Sequence, residues 1–433
     1  MNLTEEQVLS LAPDDSSKKA GLGLAGPSKW VIRAYNDLAI WGECQGSGKN
    51  PYQTQIDTTN IAFKCSCPSR KFPCKHGIGL MLLYTRQQAL FTNTDAPSWV
   101  SDWLDKRNER QEKQAEKKDK PVDEAAQAKR LQARESKVED GIAELNIWIK
   151  DIVRNGLVNI PERESSYFLN MAKRMVDAQA PGLAGMIRYL SEINFYNDGW
   201  QTPFLDQLGK IYLITEAFKN LDKQDENVQQ DIRTWIGFTQ NQETLKEQTG
   251  TLDTWLILAK QTTEDENITT ERYWLYGTKT SSYALVLQFI VRGIGAQVSL
   301  MPGTFIQAEL IYFPSTLPLR AIIKRQISTS AVADFKGFNS WQQIMDDEAK
   351  ANSILPFRSE RPYIIHNVKP VLYNGTWWLQ DANKNMMAVR NEQQRIWKLL
   401  AISGGKEIDT AVIGSEDSFE PIGLWQNNEY SLL

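Results

Sequence analysis

The chain is short of the residues that most enzymes use for chemistry. Of its 433 residues only four are cysteine and two are histidine. So few cysteines cannot staple a disulfide scaffold, and they point to a reducing compartment. No G-x-S-x-G elbow or H-E-x-x-H helix occurs. Gly46-Ser47-Gly48-Lys49 resembles the end of a phosphate loop, but Glu43 stands where the first glycine belongs and Asn50 follows the lysine. That run reads as a turn between two strands, with Pro51 opening the second. His366, after Ile364-Ile365, reads as a satisfied strand residue and not as a base. The expectation is a protein that is not an enzyme.

Long apolar runs and a charge excess are also missing. No stretch reaches the ~18 consecutive apolar residues needed to cross a bilayer. The N-terminus, MNLTEEQVLSLAPDD, is acidic where a signal peptide is basic, and Thr4 with Gln7 reads as the capping box of a short helix. A cytoplasmic location without membrane attachment is expected. The formal net charge of −4 argues against a surface that grips nucleic acid as a whole. Most of the fourteen tryptophans, such as Trp274, Trp377 and Trp378, sit in apolar or strand-like runs and are expected in cores, not on a base-stacking platform.

What is present is concentrated in FKCSCPSRKFPCKHGIGLMLL. Cys65, Cys67, Cys74 and His76 are spaced C-x-C, six residues, C-x-H. Cysteines one residue apart cannot easily bridge, because a disulfide wants Cα atoms ~5.5 Å apart and converging side chains. Three thiolates and an imidazole are instead the donor set of a closed structural Zn²⁺ site, with no position left for a water nucleophile. A deaminase-like catalytic zinc fails for the same reason, and because the run lacks H-x-E. Ile61 to Lys64 read as a strand ending near Pro68, and the apolar run from His76 reads as a helix despite Gly77 and Gly79. The first two ligands then come from a strand end and the last two from a helix start, whose dipole favours thiolates. Lys64, Arg70, Lys71 and Lys75 surround the ligands, with no acid between positions 58 and 94. Two roles compete evenly for them: neutralising a centre that carries about one negative charge, or contacting phosphate or a partner. Cys44, some twenty residues upstream, is expected in the core or turn of the neighbouring hairpin. Its alternatives are an exchangeable ligand or a redox-sensitive thiol.

This strand–loop–helix with C-x-C-x6-C-x-H resembles the SWIM zinc finger family. LAIWGECQGSGKNPYQTQID, MVDAQAPGLAGMIRYL and WKLLAISGGKEIDTAVIG are similar to bacterial SWIM zinc finger proteins of this length. The resemblance implies a ββα finger, Cys65, Cys67, Cys74 and His76 as ligands, and a role in binding DNA or protein. It also implies partners, because family members are often encoded beside a MoxR-type AAA+ ATPase and a von Willebrand factor A domain protein.

The body plan expected is α+β and multidomain. Residues 1–104 form the finger domain, with strands Lys29–Tyr35, Leu38–Cys44 and Tyr52–Asp57. Residues 105–140 hold eleven Lys/Arg against ten Asp/Glu and no apolar stripe, which reads as a charged helical or disordered linker. Residues 141–250 repeat apolar positions at helical spacing (Ile142, Leu145, Ile149, Ile152, Val153; Phe168, Met171, Met175, Val176), which predicts an antiparallel bundle. Asp177 and Gln179 are read there as a helix-packing junction. Residues 251–433 shorten their period to that of strands, as two small sheets or a barrel. Within it a turn at Gly293–Gly295 and one helix over Phe335–Ala351 are expected, and the end mixes short strands over Val371–Leu379, Met386–Val389, Trp397–Ile402 and Thr410–Ile413 with a helix around Arg395.

Overall fold

The computed structural model describes residues 4–433 apart from 47, 49, 60, 70, 117–123, 266–267, 292–299, 331–334, 358–359, 391, 416–417 and 427–428. Two helices open the chain, α1 (Glu5–Ser10) and α2 (Asp15–Leu22), and Thr4 and Gln7 make the expected capping box on α1. Strands β1 (Trp30–Tyr35), β2 (Ala39–Cys44), β3 (Tyr52–Asp57) and β4 (Ala62–Cys65) precede α3 (Lys75–Arg86) and β5 (Thr92–Asn93). They form one sheet in the order β4-β3-β2-β1-β5, antiparallel except at β5. Asn36 turns the first hairpin by accepting the Leu38 and Ala39 amides on its side-chain oxygen.

Helix α3 lies on one face of this sheet, and its two glycines are sites of close approach. A Cβ at Gly77 would come 2.8 Å from the Phe63 ring, and one at Gly79 2.7 Å from Leu24. The helix therefore gives up propensity, about 1 kcal/mol per glycine, for contact with β4 and with the end of α2. Helix α4 (Ser98–Glu116) covers the other face, where Val100 packs with Ala34, Ala39 and Trp41, and Arg107 pairs with Asp57 at 3.3 Å.

Next comes α5 (Glu124–Asn155), so the charged stretch 105–140 runs through the end of α4 and the start of α5, with 117–123 outside the described residues. Its end is no free tether. Val138 is fully buried, Arg134 donates to the carbonyls of Gln179 and Gly237, and Glu135 pairs with Arg233 at 2.7 Å. With α6 (Ser165–Asp177), α7 (Pro181–Glu192), α8 (Gln201–Lys219), α9 (Glu226–Ile236) and the short α10 (Gln242–Lys246), α5 builds the helical bundle. Val138, Ile142, Leu145, Ile149 and Ile152 follow the three-and-four spacing of a buried stripe and form its core with Phe168, Met171 and Met175. Val153 and Val176, one residue off that stripe, are exposed instead. Gln179 has a φ of +62° and Gly141 lies against Ala178, so this is the expected packing junction, and Arg134 caps it.

The rest is β-rich. Strands β6 (Thr251–Asp265), β7 (Ile268–Gly277), β8 (Tyr283–Val291), β9 (Phe305–Tyr312) and β10 (Arg320–Ser330) close a barrel filled by Trp255, Ile257, Tyr273, Leu275 and Leu310. The seam between β8 and β10 is narrow: Leu285 with Arg320 and Val286 with Ala321. After α11 (Trp341–Ile354) come β11 (Arg361–Tyr373), β12 (Thr376–Gln380), β13 (Met386–Val389), α12 (Glu392–Ser403), β14 (Ile408–Ser415), β15 (Ser418–Gln426) and β16 (Glu429–Leu432). These strands make a six-stranded sheet in the order β13-β12-β11-β14-β15-β16. Barrel and sheet share a core in which Leu256, Leu258 and Trp274 meet Ile364, Ile413 and Trp425.

Three local expectations need correction. The helix expected from Phe335 starts at Trp341, because Ser340 caps it and Phe338 bridges to Ile365 in β11. Val371–Leu379 is a hairpin and not one strand, since Asn374 and Gly375 take φ of +50° and +78°. The helix expected around Arg395 is α12, and it also takes in Trp397–Ile402, because its buried Ile396 and Leu399 have helical spacing with the half-buried Leu400 and Ile402. The turn expected at Gly293–Gly295 lies outside the described residues.

Candidate metal centre

The β3–β4 hairpin and the start of α3 bring four donors together. Register places Thr54 opposite Cys65, and the Ser66 amide bonds to the Gln53 carbonyl at 2.9 Å, so Cys65 ends the last paired strand. Cys67 follows two residues on. Cys74 is the N-cap of α3, with extended backbone, and His76 stands in the helix's first turn. The Phe72–Pro73 peptide before them is cis.

The Sγ atoms of Cys65, Cys67 and Cys74 and a ring nitrogen of His76 all lie within 4.8 Å of one another. Nδ1 of His76 is 3.7 Å from Cys65 Sγ and 4.0 Å from Cys74 Sγ. A tetrahedral Zn²⁺ with bonds of ~2.3 Å to sulfur and ~2.0 Å to nitrogen puts its ligands about 3.5–3.8 Å apart. The four donors therefore fit such an ion after a small contraction, with His76 bound through Nδ1. Cys74 and His76 are buried and the other two partly so.

The protonation chemistry also fits a cation. Three thiols this close cannot all ionise without positive charge between them. The Cys74 hydrogen bond, helped by His76 and Thr54 and opposed by burial, lowers Cys65 to about 4. The same contact, then burial, raises Cys74, and burial raises Cys67. A divalent ion removes this conflict by stabilising every thiolate at once. Around the donors, Thr54 Oγ1 lies 3.3 Å from Cys65 Sγ, and the Tyr52 ring sits 4.9 Å from the His76 ring. Neither contact was read from the sequence, though Thr54 follows once the hairpin register is known.

Cys44 is outside this cluster. It is fully buried in β2 opposite Tyr52, and burial pushes its thiol up. Among the basic residues, Lys64 and Lys75 are exposed. Lys71 is engaged by Asp14, the cap of α2, and Arg70 lies outside the described residues. His366, far from the cluster, pairs through Nδ1 with Asp409 at 3.0 Å and stacks on Phe335. Among the described residues no other group of three or more Cys, His, Asp or Glu forms a candidate metal site.

The model of the SWIM zinc finger matches residues 52–84, and that of the SWIM-associated four-helix bundle domain matches residues 133–236. The chain carries a SWIM zinc finger and its associated bundle. The first match spans β3, β4, the four donors and most of α3. The second begins beside Arg134, where α5 joins the bundle, and ends with α9. No curated protein and no solved structure matches the chain. No helix among the described residues is long and apolar enough to cross a membrane.

Proposed function

We propose that this chain is a non-catalytic, cytoplasmic adaptor whose SWIM finger is set by one structural Zn²⁺ and whose body docks other proteins. The observation that carries this reading is the convergence of Cys65, Cys67, Cys74 and His76 between a strand end and a helix start. Four protein donors fill a tetrahedral shell, so the ion would hold the finger together and activate no water. The surroundings favour protein over nucleic acid as partner. Asp14 takes up Lys71, so Lys64 and Lys75 are the basic side chains left unpaired near the donors among the described residues. The resemblance of the sequence suggests the partner class: a MoxR-type AAA+ ATPase and its von Willebrand factor A companion. The exposed Lys64 and Lys75 support a second reading, in which the finger contacts DNA with Arg70 and Lys71.

A tagged pull-down from the native cells, divided between nuclease-treated and untreated lysate, separates the two. An AAA+ ATPase that persists after nuclease and resists added salt supports the adaptor. Partners lost with the nucleic acid, and steeply weakened as salt rises from about 50 to 200 mM, would put the finger on DNA or RNA instead. In that case K64E/K75E abolishes capture, whereas the adaptor reading expects a change of less than about threefold from this pair.

A further inference from the structure

A cleft of about 560 Å³ opens where the bundle, the barrel and the C-terminal sheet meet. The bundle lends it Trp235 and Phe238, from the end of α9 and the residues beyond its Gly237 cap. The barrel lends it Leu287 and Phe289 on β8, and Phe313 and Arg320 on the turn from β9 into β10. The narrow β8–β10 seam forms its edge, since Arg320 is itself paired with Leu285 there. Its size and apolar, aromatic walls suit a small organic ligand.

The charged groups inside it are unequally satisfied. Asp231 accepts the Thr316 amide at 2.9 Å and the Thr316 hydroxyl at 2.6 Å. Arg361 reaches Asp347 at 2.8 Å and the Tyr363 hydroxyl at 3.1 Å. Arg320 has neither a carboxylate nor a hydrogen-bond acceptor for its guanidinium among the described residues, and it stacks 4.5 Å above the Phe313 ring. Burial lowers its pKa, with no charged neighbour to offset the loss of water. A partly desolvated cation with no counter-charge costs stability unless something supplies the anion.

We propose that this cleft binds a small organic anion, with a flat apolar body against Phe289 and Trp235 and a carboxylate, sulfonate or phosphate on Arg320. The site is separate from the zinc finger and does not depend on the adaptor reading. Three modules contribute to it, so an occupant would fix their mutual arrangement.

Anilinonaphthalene sulfonate titrated into the full-length protein tests this, with N-phenylnaphthylamine (the same rings without the sulfonate) as the neutral control. The sulfonate should bind at least about tenfold tighter than the control, the scale of one charge-assisted hydrogen bond. Arg320→Met should erase that advantage without lowering the melting temperature, because it removes an unpaired cation. Phe289 is 56 % exposed, so Phe289→Asp should fold normally and weaken both probes. Equal affinity for the two probes overturns the proposal, as does sulfonate binding unchanged in either variant. An Arg320→Met protein that melts lower would mark the guanidinium as structural and overturn it equally. Should Arg320→Met fail to fold, the same conclusion follows, and Phe289→Asp still reports on the cleft.

Discussion

Sγ of Cys65 lies 3.7 Å from Nδ1 of His76, and between them runs the link from the β3–β4 hairpin to helix α3. Structural zinc sites are worth on the order of 10 kcal/mol, so loss of either residue should cost most of the finger's order. We expect Cys65→Ser and His76→Ala to release zinc, measured by metal analysis of the purified protein. Hydrogen exchange should then show loss of protection across β3, β4 and α3. Cys44→Ser should retain full zinc occupancy, since that thiol is outside the cluster. Zinc loss from the Cys44 variant would move it into the ligand shell.

The finger is not isolated from the barrel. Met301, just before β9, is 3 % exposed and packs into the N-terminal core with residues such as Val8 and Leu11, and Gln7 Nε2 approaches the Gly303 carbonyl at 3.5 Å. Chelation of zinc should therefore raise exchange at residues 300–304 as well as within the finger. Met301→Ala, a buried large-to-small change, should cost about 2–4 kcal/mol and confine the effect of chelation to the first hundred residues. Unchanged exchange at 300–304 on chelation would show that the two cores melt independently.

Helix α7 offers a matched pair of glycines. A Cβ at Gly182 would collide with the backbone of Trp235 and Ile236, which cannot rotate away, whereas one at Gly185 meets nothing within 4 Å. Gly182→Ala should thus destabilise the bundle by roughly 2–3 kcal/mol, because α7 and α9 must separate. Gly185→Ala should be stabilising by about 0.5–1 kcal/mol through helix propensity alone. Denaturant melts of the two variants decide this, and a loss at Gly185 as large as that at Gly182 would remove close helix approach as the cause.

Most of the centre was legible because its ligands are local: C-x-C and C-x-H fall within twelve residues, and three thiols with an imidazole are a metal donor set. The bundle was legible through the spacing of Ile142, Leu145 and Ile149, and the barrel strands through their alternation. What the sequence hid is long-range. Asp14 reaches Lys71 across 57 residues, and Arg134 reaches Gly237 across 103. A charged residue whose guanidinium stacks on Phe238 looks like any solvated arginine in a linker. Trp397–Ile402 misled because a short apolar run carries no period of its own, and its burial on the sheet face decides for helix.

Tyr430 ties the last strand to the barrel, its hydroxyl donating to the Leu258 carbonyl at 2.8 Å. Burial pushes its phenol well above 10, and Tyr283 and Tyr312 are raised for the same reason. The unfolded chain releases these protons near pH 10, while the native chain holds them. Their contribution is therefore complete below about pH 10 and is lost as the pH rises from there toward the native values. Thermal melts should fall steeply above pH 10, and tyrosinate absorbance from these side chains should appear only with unfolding. Tyr430→Phe should cost about 1–2 kcal/mol at pH 8, because the Leu258 carbonyl loses its donor. Above pH 10 its stability should decline less steeply than the wild type's, by up to about 1.4 kcal/mol per pH unit, since one suppressed ionisation has been removed. The two curves should converge in alkali. Parallel curves would mean that Tyr430 ionises in the native state, and that its hydroxyl is reached by water instead of held against Leu258.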